Sequence, residues 1–344
     1  MSISQYTSHP VDLINRLSLL SKFRSAIMGI AILWIFVLHI FPYETIYKFD
    51  IFRVAASIGY VGVDIFLFVS GFGLYFGYAK YSSKYHFYKK RFFRIVPTFV
   101  FFIILSMIAT QNWGWDTFLS MFFNIGWYFP KSHLPEYNWY LTAIMLFYLF
   151  FPYYIKYFHE NPFRSTVVIT VISLWITFTL AFAGSINTAI MTTRLPIFCI
   201  GVYMSYLLKH YAEPIDCKYG ILVSLVLLMA FLLFLKLPID PDFQYTLIWV
   251  YGFYWIPFIM IVPGLLILIV SFLNFISIRI PLIIKLLNFF GTISLEIFLI
   301  HENIPLKNYL SQKSHSQTMF FGSMFLISVV GGWCVHKLFS KICK

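Results

Sequence analysis

The sequence predicts an all-α fold: a polytopic transmembrane helical bundle of about ten spanning helices, with one short apolar segment in the interface. Three observations lead there. Of 344 residues, 60% are hydrophobic, 22% aromatic and only 11% charged, which excludes an ordinary soluble domain. The apolar residues gather in runs of about 20, the length that crosses a hydrocarbon core at helical rise. The 25 Lys and Arg residues fall mostly between the runs; with both termini inside, 18 lie on the inner side and 7 on the outer.

Taken in order, residues 1–23 form a polar cytoplasmic leader in which Val11, Leu13, Ile14, Leu17, Leu19 and Leu20 mix with Asp12, Asn15, Arg16 and Ser18. That pattern suits a short interfacial helix on the inner leaflet. No cleavage-site pattern follows a short apolar core, so the first span is the expected targeting signal. The ten spans are expected at 24–42, 57–79, 92–110, 139–158, 166–184, 194–211, 219–236, 247–273, 286–304 and 318–338, within one integral membrane domain of 24–344. The stretch Trp115–Pro130 is apolar and aromatic at its ends but short, so it reads as an eleventh span or as an interfacial segment. Making it cross would flip every later loop and erase most of the basic bias, which favours the interfacial reading. Residues 237–244 make a short outer loop, and no repeat appears at solenoid or propeller periods.

Composition narrows the chemistry further. The formal net charge of +12 is spread through the loops and does not gather on one face, so the lipid bilayer, and no nucleic acid, is the expected partner. The 4 cysteines, at 199, 217, 334 and 343, have neither paired spacing nor an accompanying histidine pattern. Neither a disulfide framework nor a metal is expected.

Ionisable groups inside apolar runs are expensive and need a reason. His39 closes the first run and Asp64 lies in the second, while Arg91 and Arg94 open the third. Taken singly, each has a bland explanation. His39 reads equally as a hydrogen-bonded boundary residue, Asp64 as a carboxylate satisfied by neighbouring helices, and the arginines as anchors beside Lys89 and Lys90. Ser70, Gly71, Gly73 and Gly77 read as small residues that let helices approach.

Together the runs say more. The segments MGIAILWIFVLH, GVDIFLFVSGF and KRFFRIVP, followed by WYLTAIMLFYLFFP from Trp139, RLPIFCIGVYMSYL from Arg194 and GTISLEIFLIH from Gly291, stand in this order. The ordered set, from about Phe23 to His301, resembles the acyltransferase-3 family of polytopic membrane O-acyltransferases. The resemblance implies a bacterial inner-membrane enzyme that moves an acyl group, most simply acetyl, from acyl-CoA to a hydroxyl of a cell-surface polysaccharide or its lipid-linked precursor. Acetyl-CoA or another acyl-CoA is then a donor substrate, with no permanently bound cofactor. One departure stands out: the family commonly has a basic residue eleven positions before the first-helix histidine, and here that residue is Met28, with Arg24 one turn earlier on nearly the same face. The competing reading is a transporter or flippase of a sugar-lipid, or a component of an export complex, without catalysis. A transporter predicts repeat symmetry or broken midplane helices, and only the Pro257 and Pro263 helix leans that way.

The topology turns positions into depths. His39 lies roughly 22 Å beyond Arg24 along the first helix. His39, Asp64, Trp139, Tyr140, Arg194 and His301 are therefore expected near the outer leaflet, with Glu296 deeper, and Arg24, Arg91 and Arg94 at the cytoplasmic end. Guanidinium groups suit the phosphates of coenzyme A, and an imidazole suits removal of a hydroxyl proton. His39 is the candidate base, His301 its rival, and Asp64 the candidate group that orients it. Trp139, Tyr140, Arg194 and Glu296 are candidate acceptor or supporting residues. A covalent cycle on Ser70 has no nucleophile-elbow pattern behind it.

Overall fold

The computed structural model of the chain describes residues 18–40, 56, 58–80, 83–210, 218–236 and 255–342. Its helices, in chain order, are α1 (Arg24–Ile40), α2 (Val61–Tyr78), α3 (Lys84–Thr110), α4 (Trp115–Phe123), α5 (Ile125–Tyr128), α6 (Trp139–Glu160), α7 (Pro162–Phe182), α8 (Ile186–Thr192), α9 (Leu195–His210), α10 (Lys218–Lys236), α11 (Phe258–Arg279), α12 (Pro281–Thr292), α13 (Ser294–His301), α14 (Ile304–Lys313) and α15 (Gln317–Ile342). No strand occurs among the described residues. Most of the leader and the 237–244 loop lie outside the described residues, although residues 18–22 are helical.

Among the described residues, seven helices are long and apolar enough to cross a membrane, and α12 with α13 makes an eighth if that pair is one span. The two other expected spans coincide with shorter apolar helices, α1 and the Ile221–Phe231 part of α10. The chain is thus an all-α, multi-pass membrane bundle. The third span begins earlier than expected, at Lys84, because Ser83 caps it by accepting a hydrogen bond from the backbone N–H of His86. Trp115–Pro130 is no single helix. Asn124 takes a left-handed conformation at φ 53° between α4 and α5, and the nine residues of α4 reach only about 14 Å, too short to cross.

The expected straight span at 286–304 is the clearest difference. Pro281 starts the helix five residues sooner, and the chain bends by 62° between α12 and α13. A Gly and a Ser flank the break, the usual chemistry of a kink, and the Ser294 hydroxyl donates to the Gly291 carbonyl at 2.9 Å. The bend turns α13 so that His301 ends beside His39.

Two helix crossings set the frame, α2 with α9 and α1 with α12. Each is made by a reciprocal pair of glycines. A Cβ on Gly71 would strike the carbonyl of Phe198, and one on Gly201 that of Phe68; a Cβ on Gly29 would strike the carbonyl of Leu287, and one on Gly291 that of Ser25. With lipid outside, such close backbone contact is what draws helices together. Gly73 has another role, since a Cβ there would press on the Arg24 guanidinium.

This predicts opposite effects from two alanine substitutions. Gly71→Ala must push a backbone carbonyl aside and should lower stability by about 1–3 kcal/mol. Gly322, with nothing near its missing Cβ, sits inside α15, and Gly322→Ala should be neutral or stabilising by up to about 1 kcal/mol. Thermal unfolding in detergent reads both; equal effects would contradict the crossing described.

Candidate active site

The C-terminal end of α1 brings three side chains together. His39 Nδ1 lies 2.7 Å from Glu302 Oε1 and 3.1 Å from His301 Nε2, and His301 Nε2 is 3.6 Å from the same Glu302 oxygen. Hydrogen-bond chemistry then settles which neutral tautomers are present. His301 Nδ1 is 2.7 Å from the Ile297 carbonyl, which can only accept, so the proton of His301 is on Nδ1. His39 Nδ1 faces two acceptors, the Glu302 carboxylate and the His301 Nε2 lone pair, so it too carries the proton. The lone pair of His39 is left on Nε2.

Exposure separates the two histidines. The His301 side chain is 0% exposed, and its ring packs against Phe36, Phe298 and the stacked ring of His39. The His39 side chain is 32% exposed and that of Glu302 is 24%. Of the two rings, His39 is the one a molecule outside the protein can reach.

Several loops and helices hold Glu302 in place. Asn303 accepts the N-cap hydrogen bond of α14 from Leu306 and donates through Nδ2 to the Ser106 hydroxyl on α3. Tyr137 donates its hydroxyl to the Leu299 carbonyl, and its own backbone N–H goes to Asn124 Oδ1 at 2.7 Å. The broken α4–α5 segment therefore supports the bend that carries His301 and Glu302. Lys307 adds an ammonium 3.2 Å from Glu302 Oε1.

A cavity of about 350 Å³ opens among α1, α2, α3, α6, α12, α13 and α15. Arg24 and Arg94 line it, as do Met28, Ser70, Tyr140, Tyr148, Glu296, Phe298 and His336. The Phe298 ring belongs both to the cavity wall and to the packing of His301, 5.5 Å between centroids. The cavity thus runs from two guanidinium groups to within one ring of the histidine pair. Arg91 stands beside it, over the rings of Phe87 and Tyr148. Buried polar atoms are normally paired, yet the Nε atoms of Arg24 and Arg91 and Oε2 of Glu296 have no hydrogen-bond partner among the described residues.

These positions sort the expected site residues. Arg24 and Arg94 line one cavity, and Met28, at the position where the resemblance expects a base, lines it too. Glu296 faces the same cavity and not the outer group; His336 bonds its other oxygen at 3.0 Å. The expected pairing of Asp64 with His39 does not form. Asp64 makes a buried ion pair with Arg194 at 3.5 Å, and Arg194 also donates to the Ile190 carbonyl and lies over the rings of Trp139 and Trp255, 5.0 Å from each. The carboxylate on His39 is that of Glu302. Trp139 is engaged by Arg194 and stacks near Trp127, and Tyr140 packs edge-on to Phe298 and lines the cavity. Glu302 and His336 went unnoticed in the sequence. Glu302 had one signal, a carboxylate directly after the rival histidine; His336 lies in the last helix with no motif around it.

The family model described as an acyltransferase domain matches residues 26–337. The match takes in every residue of the site except Arg24 and Ser25. No curated protein and no solved structure matches the chain.

The Asp64–Arg194 pair makes a distinct prediction. Removing one partner of a buried ion pair leaves an uncompensated charge, so Arg194→Met should destabilise by about 3–5 kcal/mol. Combining it with Asp64→Leu should restore most of the loss in detergent unfolding. A double variant as unstable as the single one would show that Asp64 has another partner.

Proposed function

The chain belongs to the acyltransferase-3 family and is a membrane acyltransferase; from that premise we propose that it transfers an acyl group, most simply acetyl, from acyl-CoA to a hydroxyl of a cell-surface polysaccharide or its lipid-linked sugar precursor. It does so in a bacterial inner membrane, with both termini and the Arg24, Arg91 and Arg94 end facing the cytoplasm. The observation that carries this reading is the cavity with arginines at one end and the histidine pair behind its far wall. Acyl-CoA is made in the cytoplasm and carries phosphates on one end and the thioester on the other. Arg24 and Arg94, with Arg91 beside them, hold the phosphates by charge-assisted hydrogen bonds. The pantetheine arm then lies along the cavity past Glu296 and Tyr140 and brings the thioester towards His39.

The reaction needs one base. The acceptor hydroxyl arrives at the exposed face of His39, gives its proton to Nε2 and attacks the thioester carbonyl. The C–S bond breaks as the tetrahedral intermediate collapses, and the leaving thiolate takes the proton back from His39 Nε2. Glu302, on Nδ1, fixes the tautomer with its lone pair on Nε2 and stabilises the imidazolium that forms, the general arrangement of base plus orienting carboxylate. His301, fully enclosed, holds the His39 ring by stacking and serves as a positioning residue.

Mass spectrometry of surface glycans from cells with and without the protein tests the activity: ester-linked acyl groups should disappear from one glycan fraction. Unchanged acyl-ester content in all fractions would refute the function. Within the mechanism, His39→Gln should lower kcat by about 10²- to 10⁴-fold, the contribution of a general base. A hydrogen bond to a charged group contributes about 1.5–3 kcal/mol, so Glu302→Gln should lower kcat roughly 10- to 150-fold with donor KM little changed. A His39→Gln enzyme at near-normal turnover would remove the imidazole from the chemistry.

A further inference from the structure

The three atoms that meet at the end of α1 also have the spacing of metal ligands. His39 Nδ1, His301 Nε2 and Glu302 Oε1 form a triangle with sides of 3.1, 3.6 and 2.7 Å. A zinc ion about 2.1 Å from all three would sit roughly 1 Å off their plane, and the 2.7 Å edge between Glu302 and His39 would open by about 0.7 Å to reach tetrahedral spacing. Two imidazoles and one carboxylate, with a further position open to water, are a ligand set that zinc accepts. The His301 Nδ1 proton is already bonded to the Ile297 carbonyl, the outer hydrogen bond that orients a ligating imidazole. His39 and Glu302 are partly exposed, which provides an entry path. Lys307 is the opposing group: its ammonium shares Glu302 Oε1 and must move to Oε2 or to solvent when a cation binds. No local spacing in the sequence signals such a site, because its two histidines are 262 residues apart.

We propose that the His39–His301–Glu302 cluster binds a divalent cation of the zinc class, and that the bound ion switches acyl transfer off. The inhibitory half rests on the reading of His39 as the base; the binding half does not. A neutral imidazole has one lone pair and one N–H. When Nδ1 of His39 gives its lone pair to the metal, the ring proton stands on Nε2, the atom that otherwise takes the proton of the acceptor. Binding changes no oxidation state; it moves one proton from Nδ1 to Nε2, replaces the contacts of His39 Nδ1 with Glu302 and His301 by bonds to the metal, and displaces the Lys307 contact.

Binding is read without activity by titrating the purified full-length protein in detergent with Co²⁺, which reports coordination by its visible absorption. One equivalent should bind to the wild type, at least tenfold more tightly than to Glu302→Gln and His301→Gln. Both variants should still bind acyl-CoA as the wild type does, which shows that they are folded. No bound Co²⁺, or equal affinity in all three proteins, overturns the site and leaves the acyltransferase reading standing. In the wild type, Zn²⁺ should suppress acyl transfer and a chelator should restore it. Loss of activity on chelation with recovery on Zn²⁺ overturns the inhibitory role, and with it the free imidazole as base.

Discussion

The contact between Glu302 and His39 is the interaction on which the rest of this structure depends. A carboxylate 2.7 Å from an imidazole needs both groups held at one depth from two distant parts of the chain. Much of the architecture serves that end. The paired glycines at 29 and 291 bring α12 onto α1, and the break after Gly291 turns α13 inward. Asn303 and Tyr137 then tie the last turn of α13 to α3 and to the α4–α5 segment. His39, at a helix end, has a defined tautomer because these contacts hold its carboxylate partner beside it.

A membrane imposes a second economy on the same bundle. Each charge kept within apolar surroundings must be paired or must have a use. Asp64 and Arg194 are paired, and two tryptophans enclose the guanidinium; their role is to hold α2 near the start of α9. Arg24, on the cavity wall, and Arg91, beside it, leave their Nε–H donors unpaired, an arrangement costly in an empty bundle and relieved by an anionic acceptor. The Asp64–Arg194 pair lies against two tryptophan rings, whereas Arg24 and Glu296 line a cavity.

The helices were legible because apolar runs and basic loops are one-dimensional signals, and the shortness of Trp115–Pro130 together with charge bias argued against its crossing, in line with the break at Asn124. His39 and Arg94 stand in runs that carry the family resemblance, and Arg24 one turn before the first of them; the structure puts Arg24 and Arg94 on one cavity wall. Side-chain partners were not legible. Asp64 and Glu302 are both carboxylates at plausible depth, and only helix rotation decides that one meets Arg194 and the other His39. Rotation is set by crossings such as Gly71 on Phe198, between residues more than a hundred apart in the chain. The bend at 293 was equally hidden, since a Gly and a Ser in an apolar run are as common in straight helices as in broken ones. His336 carried no signal because its partner, Glu296, comes from a different helix.

The central claim is that donor and acceptor meet from opposite sides of the membrane, with the donor entering past Arg24 and Arg94. Sealed proteoliposomes of uniform, known orientation test it most directly, with membrane-impermeant acyl-CoA added to one face and an acceptor glycan to the other. The account predicts acyl transfer when acyl-CoA is on the Arg94 face and the glycan on the His39 face, and none in the reverse arrangement. Transfer with acyl-CoA confined to the His39 face would contradict it.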